Sequence, residues 1–409
     1  MNNALIPQLF RSEYSKMVAV LCKKFGVQNI EQAEDIVSDT FLLAAETWGK
    51  KGLPENPTAW LYTVAKNKIK DRFKRQKIYT EKVKPIIENE QMNSYEIDLS
   101  DQNIQDSQLQ MMFAICHPEL PVAAQIGLSL RILCGFGIDE IAQAFLTNKS
   151  SINKRLFRAK DKLRQTVTEL QLPPAEDIPA RLATVQKTIY LLFNEGYHSA
   201  TDNAVLRKDF CLEALRLALL LEQYPPTATP ATQALIALMC FHASRFAARL
   251  DDAGDIVLYN DQNANLWDKQ LVAKGEEYMN KAARGKAMSR YHLEAAISYW
   301  HTQPIDNQEK WENILQLYNR LLMSDYSPVV ALNRTYALYK TTDAATALVE
   351  LEKLKLEQNP FYWTLLGFLF SGISDKESAI YAYEKALKFV KNEKERAVIL
   401  RRIAEVEQN

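Results

Sequence analysis

A strongly basic stretch lies between Gly137 and Arg164, in a chain whose formal net charge is zero. The 409 residues include 50 lysines and arginines and 50 aspartates and glutamates, so an anionic partner must be recognised locally. Ammonium and guanidinium groups donate hydrogen bonds to phosphate oxygens and to the acceptor atoms of base edges. Against one acid, Asp161, the second half of the stretch carries these bases: Lys149, Lys154, Arg155, Arg158, Lys160, Lys162 and Arg164.

The apolar residues of the same stretch recur at helical spacing. They form two stripes separated by a short polar break: Ile138, Ile141, Ala142 and Phe145, and then Ile152, Leu156, Ala159 and Leu163. This pattern predicts two short helices joined by a tight turn, which is a helix-turn-helix. The side of the second helix opposite its stripe carries Ser151, Lys154, Arg155, Arg158 and Lys162. That side cannot be buried without partners, because desolvating several like charges is prohibitively costly.

A cationic helix of this kind fits the major groove of DNA. The residues that we expect to meet base edges lie in its first turns: Lys149, Ser150, Ser151, Asn153 and Lys154. Arg155 and Arg158 lie further along and are expected to meet phosphates. The alternative is an ordinary solvated helix surface with no ligand.

A second basic cluster lies nearer the N-terminus, in the stretch PTAWLYTVAKNKIKDRFKRQK that begins at Pro57. The apolar residues at helical spacing are Leu61, Ala65, Ile69 and Phe73. They predict the buried side of a helix. The exposed side is then polar and basic, with Thr63, Asn67, Lys70, Lys74 and Arg75.

An acidic segment separates the two basic helices. Residues 85–110 contain six acids and no base, so we interpret residues 81–107 as a linker. Two cationic helices on two small tethered domains can contact two separated sites on one DNA molecule. Either helix alone is weak support for DNA binding, and the pair is stronger.

The remainder of the chain is helical in pattern and its last third contains a repeat. Two segments, beginning near Pro328 and Pro360, align with an offset of 34 residues, the tetratricopeptide period. The aligned pairs are Val329 with Trp363, Leu332 with Leu366, Tyr336 with Phe370, Ala345 with Ala379, and Val349 with Tyr383. Gly367 would let two antiparallel helices approach closely. The alternative is a set of helices that merely share a spacing.

Composition favours an all-α protein without catalytic or metal-binding motifs. Twelve glycines are few for this length, and long stretches are rich in Ala, Leu, Glu and Lys. The five cysteines are scattered singly and the five histidines are isolated, so we expect no metal, no cofactor and no enzymatic activity. With neither a signal peptide nor an apolar run long enough to span a bilayer, the sequence predicts a cytoplasmic protein without a membrane partner.

The N-terminal motifs resemble those of a known protein family. The stretches AEDIVSDTFLLAAETW and NPTAWLYTVAKNKIKDRFKR resemble region 2 of extracytoplasmic-function sigma factors, and LPVAAQIGLSLRILCGFGIDEIAQAFLTNKSSINKRLFRAKDKLR resembles their region 4. The rest resembles the subgroup with a long C-terminal extension. The resemblance implies a region-2 helical bundle over residues 1–80, the linker over 81–107 and a region-4 helix-turn-helix domain over 108–172. A helical extension over 173–285 and tetratricopeptide-like repeats over 286–409 would follow.

The resemblance also implies partners and contacts. The family binds core RNA polymerase and directs it to promoter DNA, so Asp35 and Asp39 would face the polymerase. The residues Thr63, Asn67, Lys70, Lys74 and Arg75 would bind the minus-ten element, and the region-4 helix would read the minus-thirty-five element. The loop GLPENP would hold an unstacked base. It has no aromatic residue, so Trp60 or Tyr62 would have to supply the stacking partner.

Two functional hypotheses remain at this point. The first is a sigma factor whose C-terminal helical region regulates it in cis, so that truncation near Pro173 changes its activity. The second is a helix-turn-helix regulator that never contacts core polymerase and uses its repeats to bind a protein or peptide partner. Only the N-terminal block distinguishes them, because a repressor has no use for a polymerase-binding helix followed by a second basic helix.

Overall fold

The computed structural model of the chain describes residues 5–83, 98, 100–145, 147–197, 208–249, 251, 257, 259–285, 287–324, 326–390 and 393–408. Within these ranges every regular element is a helix, which confirms the all-α fold class. None of the described helices is long and apolar enough to cross a membrane, and no cluster of their His, Cys, Asp and Glu side chains could hold a metal ion. The chain divides into two units, Met1–Leu192 and Phe193–Asn409.

The first unit contains seven helices and most of an eighth within the described residues. Their bounds are α1 Leu5–Phe25, α2 Ile30–Lys51, α3 Pro57–Val83, α4 Asp101–Ile115, α5 Val122–Leu128, α6 Ile138–Ala144, α7 Lys149–Thr166 and α8 Ile178–Tyr197. A 3-10 turn, Val27–Asn29, precedes α2, and a π-helical turn, Ser129–Leu133, follows α5. The last residues of α8 belong to the second unit.

The predicted apolar stripes of α3 and α7 contribute to the core of this unit. On α7 the buried residues are Ile152, Leu156, Ala159 and Leu163, and on α3 they include Leu61, Ala65 and Ile69. Both sets confirm the predicted periodicity, although the side chain of Phe73 lies outside the described residues. The Asn148 side chain caps α7 by accepting a hydrogen bond from the Ser151 backbone N–H at 2.8 Å.

The acidic segment is shorter than its composition suggests. Helix α4 begins at Asp101, inside the range that we interpreted as a linker, while residues 84–97 and 99 lie outside the described residues. The Ser100 hydroxyl caps α4 by accepting from the Asn103 backbone N–H, and the Asp98 carboxylate accepts from the Ser100 backbone N–H at 2.9 Å. Ile104 and Leu109 bury the inner side of α4. Capping and an apolar stripe therefore form a helix where acidic composition alone indicates a tether.

The second unit is a succession of helices. Within the described residues their bounds are α9 Lys208–Gln223, α10 Pro230–Ser244, α11 Lys269–Ala282, α12 Arg290–Trp300, α13 Gln308–Ser324, α14 Pro328–Thr341, α15 Ala344–Glu352, α16 Pro360–Gly372, α17 Lys376–Phe389 and α18 Glu393–Gln408. Short 3-10 turns lie between α10 and α11, at Phe246–Ala248, Tyr259–Asp261 and Ala264–Leu266. Consecutive helices in the last part, from α12 to α18, pack against one another as neighbours.

Two consecutive helix pairs, α14 with α15 and α16 with α17, begin at equivalent residues, but the predicted offset of 34 residues between them is wrong. Val349 is exposed whereas its predicted equivalent Tyr383 is buried, and the pair Ala345 and Ala379 differs in the same way. The helix starts show the true offset. Pro328 and Pro360 each begin a helix, and the capping residues Asp343 and Asp375 are also 32 residues apart. The residue types at offset 34 matched, but the capping geometry and the burial follow an offset of 32.

Gly367 allows close packing of α16 against α17, as its position in the sequence indicates. A Cβ atom at this position would lie 2.8 Å from carbons of the Tyr383 ring, which is itself buried. The ring cannot move away without disturbing its neighbours, since protein interiors are close-packed.

We therefore expect Gly367→Ala to lower the free energy of unfolding by about 1 kcal/mol, because overpacking outweighs the gain in helix propensity. Urea denaturation followed by circular dichroism measures the change. Gly49→Ala in α2 is the control, because no heavy atom outside its own helix surroundings lies within 4 Å of that position. Equal stability of the two variants would contradict the close approach.

Candidate nucleic-acid interface

The exposed side of α7 carries the predicted DNA-binding residues. Lys154, Arg155 and Arg158 are exposed and make no ion pair with any other described residue. Lys149 contacts Asp139 at 2.9 Å, but both side chains are largely exposed and such a pair contributes little to stability. Of the remaining residues, Ser150 and Asn153 are exposed, and Ser151 is half-buried next to its cap. The structure thus brings the seven residues together on one short helix.

Two basic residues near the C-terminal end of α7 face α2 and not solvent. Lys160 and Arg164 belong to the same basic run, yet Lys160 forms a salt bridge with Glu34 and Arg164 forms one with Glu31. Gln28 strengthens this contact by donating to the Arg164 backbone carbonyl at 3.2 Å. Two of the seven bases in the run therefore join α7 to α2.

The Glu34 carboxylate is the centre of this contact. Glu34 is only 5% exposed and accepts hydrogen bonds from the Tyr14 hydroxyl and the Arg131 Nε, both at 2.9 Å, as well as from Lys160. Burial, and then the nearby negative charge of Glu34, raise the pKa of Tyr14, so its hydroxyl remains a donor. We name Glu34, Tyr14, Arg131 and Lys160 the Glu34 cluster. It joins α1 and α2 to the π-helical turn Ser129–Leu133 and to α7, which are the two blocks of this unit.

The outer surface of α2 combines acids with exposed leucines. Asp35 and Asp39 are exposed as predicted, and Asp39 lies 3.9 Å from the Lys68 ammonium. Leu42 is 60% exposed on the same side, and Leu43 is exposed next to it. Our sequence analysis missed both leucines. The available signal was their position outside the buried stripe, which follows Ile36, Val37, Phe41 and Ala44.

Helix α3 exposes the first part of its predicted polar side. Thr63, Asn67 and Lys70 are exposed, and the side chains of Lys74 and Arg75 lie outside the described residues. The Thr63 hydroxyl donates to the Ala59 backbone carbonyl at 2.8 Å, so its oxygen remains able to accept a second hydrogen bond.

The aromatic residues near the start of α3 are engaged in packing. Tyr62 is buried and its hydroxyl donates to Glu13 at 3.1 Å, so the expectation that Tyr62 could stack on a base is wrong. Trp60 is half-buried and packs edge-to-face on Trp48 with ring centroids 5.3 Å apart. Of the two candidates, only Trp60 retains an accessible surface.

Phe157 is a further exposed residue that the sequence analysis missed. It lies on α7 next to Arg158 and three residues after Lys154, and 64% of it is exposed. An aromatic side chain in this position falls outside the buried stripe of the helix, which was the available signal. Apolar contact with a thymine methyl group is one role that such a residue plays in a major groove.

Comparisons with known proteins agree with the N-terminal part of this interpretation. Residues 10–78 match the sigma-70 region 2 family, and residues 181–283 match a family of unknown function (DUF6596). The chain is 33% identical over 380 residues to the uncharacterized protein R00370 of Rhizobium meliloti (strain 1021), which covers 91% of this chain and 89% of that protein. No solved structure matches the chain. The region 2 match supports a sigma-70-family factor that takes part in transcription initiation.

Removing the Glu34 carboxylate should destabilise the first unit strongly. Glu34→Ala leaves two cations and a tyrosine hydroxyl without their shared acceptor, and breaking a buried ion pair costs about 3 kcal/mol or more. Urea denaturation measures the loss. Glu46→Ala, on the exposed side of the same helix, should change stability by less than about 0.5 kcal/mol. If both variants lost equally little, the Glu34 cluster would not be the contact that joins the two blocks.

Proposed function

This chain belongs to the same family as the Rhizobium meliloti protein R00370 and carries a sigma-70 region 2, and we propose that it is a promoter-specific sigma factor of the extracytoplasmic-function group. The observation that carries the proposal is the exposed cationic side of α7, in a unit that also contains region 2. Lys154, Arg155 and Arg158 have no acidic partner among the described residues, so their charge is available to phosphates.

In this proposal α7 reads the minus-thirty-five element. Lys149, Ser150, Ser151, Asn153 and Lys154 face the base edges, while Arg155 and Arg158 contact phosphates. Lys149 must first leave Asp139. That exchange costs at most about 1 kcal/mol, because the pair is exposed.

The minus-ten element is assigned to α3. Thr63, Asn67 and Lys70 present polar atoms to solvent at intervals of about one turn, and Lys74 and Arg75 continue the same assignment. Trp60 is the aromatic residue that remains accessible for an unstacked base. Its contact with Trp48 holds the ring in one orientation, which favours stacking.

Core RNA polymerase is assigned to the outer surface of α2. Asp35 and Asp39 supply charge, and Leu42 supplies an apolar contact at the centre of the patch. Burying the exposed Leu42 side chain against a partner would gain about 1.5–3 kcal/mol of hydrophobic free energy, and the neighbouring carboxylates would favour a basic partner surface. The alternative function, a regulator that does not contact polymerase, would assign no role to this surface.

The Glu34 cluster has a consequence for promoter binding. Promoter elements centred about 25 base pairs apart lie about 85 Å apart along B-form DNA. A compact unit of about 190 residues is only about 40 Å across. The two blocks must therefore separate before α3 and α7 can bind both elements, and the Glu34 and Glu31 ion pairs must break. Binding of α2 to polymerase would compensate for their loss.

We further propose that the helical region after α7 regulates initiation in cis. Helix α8 already contacts the helix-turn-helix block within the first unit. Arg181 donates to the Phe113 backbone carbonyl at 2.7 Å, and the Thr188 hydroxyl donates to the Gln125 side chain at 2.8 Å. A change in the extension can thus reach the DNA-binding block through α8. Helices α14 to α17 remain the candidate surface for a protein or peptide partner.

Substituting the free arginines of α7 should weaken promoter binding in a salt-dependent way. About six phosphate contacts give a log–log salt slope of about −5 for the holoenzyme, and losing two contacts should bring it to about −3. Arg155→Ala with Arg158→Ala should also lower the affinity at least about tenfold. Fluorescence anisotropy on labelled promoter DNA measures both. The control is Lys187→Ala, an exposed base on α8, and an equal effect of that variant would contradict the assignment.

In vitro transcription with core polymerase separates the two functions. The full chain should support initiation at its own promoter, and failure to do so would favour the polymerase-independent regulator. A fragment ending at residue 173 loses the α8 contacts, so a fragment ending at residue 197 is the matched comparison. We expect the longer fragment to differ from the full chain in transcript yield. Equal yield and equal polymerase affinity would contradict regulation in cis.

A further inference from the structure

An alternating series of cations and tyrosines lies in the second unit. The Arg249 guanidinium lies 3.8 Å from the centroid of the Tyr197 ring, and the Arg245 Nη2 donates to the Tyr197 hydroxyl at 3.2 Å. Arg245 in turn lies 5.4 Å from the centroid of the Tyr259 ring. Lys310 ends the series, with its ammonium 5.3 Å from that centroid and 2.8 Å from the Tyr259 hydroxyl. We name these five residues the cationic chain.

Four separate parts of the fold supply the cationic chain. Tyr197 is the last residue of α8. Arg245 and Arg249 flank one 3-10 turn, Phe246–Ala248, which follows α10. Tyr259 begins the next 3-10 turn, and Lys310 lies in the first turn of α13. Contacts assembled from such distant segments require the folded unit. They do not arise from a local run of charge.

The cations are buried without matching acids. Lys310 is only 1% exposed and Arg245 only 8%, while Arg249 is half-buried and lies nearer the surface. In the part of the chain that the structure describes, none of the three forms a salt bridge. The negative charge of Asp306 acts on Lys310 and raises its pKa, against the larger lowering effect of burial. The Asp306 carboxylate, however, is paired with Lys340 at 2.8 Å and also accepts a hydrogen bond from the Trp311 indole N–H.

The buried charges leave hydrogen-bonding capacity unused. The Nε of Arg245 and the Nη1 of Arg249 are buried and have no hydrogen-bond partner among the described residues. The Lys310 ammonium has three donors and makes two hydrogen bonds, to Tyr259 and to the Gln303 backbone carbonyl, both at 2.8 Å. Burial, and secondarily the charges of Arg245 and Lys310, lower the pKa of His301 to about 3, so this neighbour adds no further positive charge.

This arrangement is costly for a purely structural element. Burying an unpaired cation costs several kcal/mol, and apolar residues of similar volume usually fill such a position at lower cost. The Glu34 cluster of the first unit shows the ordinary solution, in which a carboxylate accompanies the buried cations. The cationic chain has the donors of such a cluster without the anion.

We propose that the cationic chain is a binding site for the phosphate group of a small molecule. A phosphate monoester carries a charge of about −1.5 to −2 and three acceptor oxygens, and guanidinium and ammonium groups are the donors that bind such a group most strongly. Arg245 and Lys310 are too deeply buried for a nucleic-acid backbone or a folded protein surface to reach, so the ligand is small. Arg249, nearer the surface, is its first contact. The proposal does not depend on the sigma-factor assignment.

Calorimetric titration and thermal unfolding of the full chain test this site. The probes are inorganic phosphate, pyrophosphate and glucose 6-phosphate, with citrate as a carboxylate comparison. We expect phosphate-bearing probes to bind and to raise the unfolding temperature. Arg249→Gln and Lys310→Met should weaken binding at least tenfold. Lys353→Gln, an exposed lysine of the same unit, is the control and should bind as the unaltered chain does.

Stability without ligand separates a binding role from a structural one. Because Lys310 is buried without an acidic partner, Lys310→Met should unfold at the same or a higher temperature than the unaltered chain when no anion is added. Its clear destabilisation, together with unchanged phosphate binding, would overturn the proposal. Binding of citrate in preference to all phosphate probes would overturn the choice of ligand. An equal rise in unfolding temperature for every variant would show only the general stabilising effect of phosphate salts, and the site would then be rejected.

Discussion

The buried carboxylate of Glu34 is the contact on which the arrangement of the first unit depends. Moving a carboxylate out of water costs several kcal/mol, so it needs several donors at good geometry. Tyr14 comes from α1, Arg131 from the π-helical turn and Lys160 from α7, and the last is 126 residues away in sequence. One acid on α2 thereby joins helices that, in the proposed sigma-factor role, must separate to bind both promoter elements. The same contact stabilises the arrangement seen in the structure, and the proposed separation would need a partner that compensates for its loss.

The Glu34 cluster also divides α7 into two halves with different roles. Lys160 and Arg164 face the acids of α2, whereas Lys154, Arg155 and Arg158 face solvent. One basic helix thus contributes cations both to packing and to an exposed cationic surface, because successive turns present different sides to their surroundings. The zero net charge of the chain is a sum over 50 basic and 50 acidic residues and does not argue against an anionic partner.

The two units differ in the partners of their buried cations. In the first unit the cations meet Glu34 and Glu31, and the resulting ion pairs are internal. In the second unit Arg245 and Lys310 are at least as deeply buried, yet tyrosine rings and hydroxyls are their principal partners. Aromatic faces attract cations more weakly than a carboxylate does, so this arrangement leaves positive potential inside the unit. An external anion is the simplest way to neutralise it.

The sequence alone determined the features that follow from local periodicity. The all-α class and the buried stripes of α3 and α7 follow from composition and from the spacing of apolar residues. Residue matching could not settle the repeat offset, because burial and the caps Asp343 and Asp375 select 32 residues over 34. Nor could the sequence show that Lys160 is paired inside the protein while Lys154 is exposed. Both are lysines of one helix, and only the tertiary structure decides which of them meets Glu34, because that partner lies more than a hundred residues away and is brought near by packing.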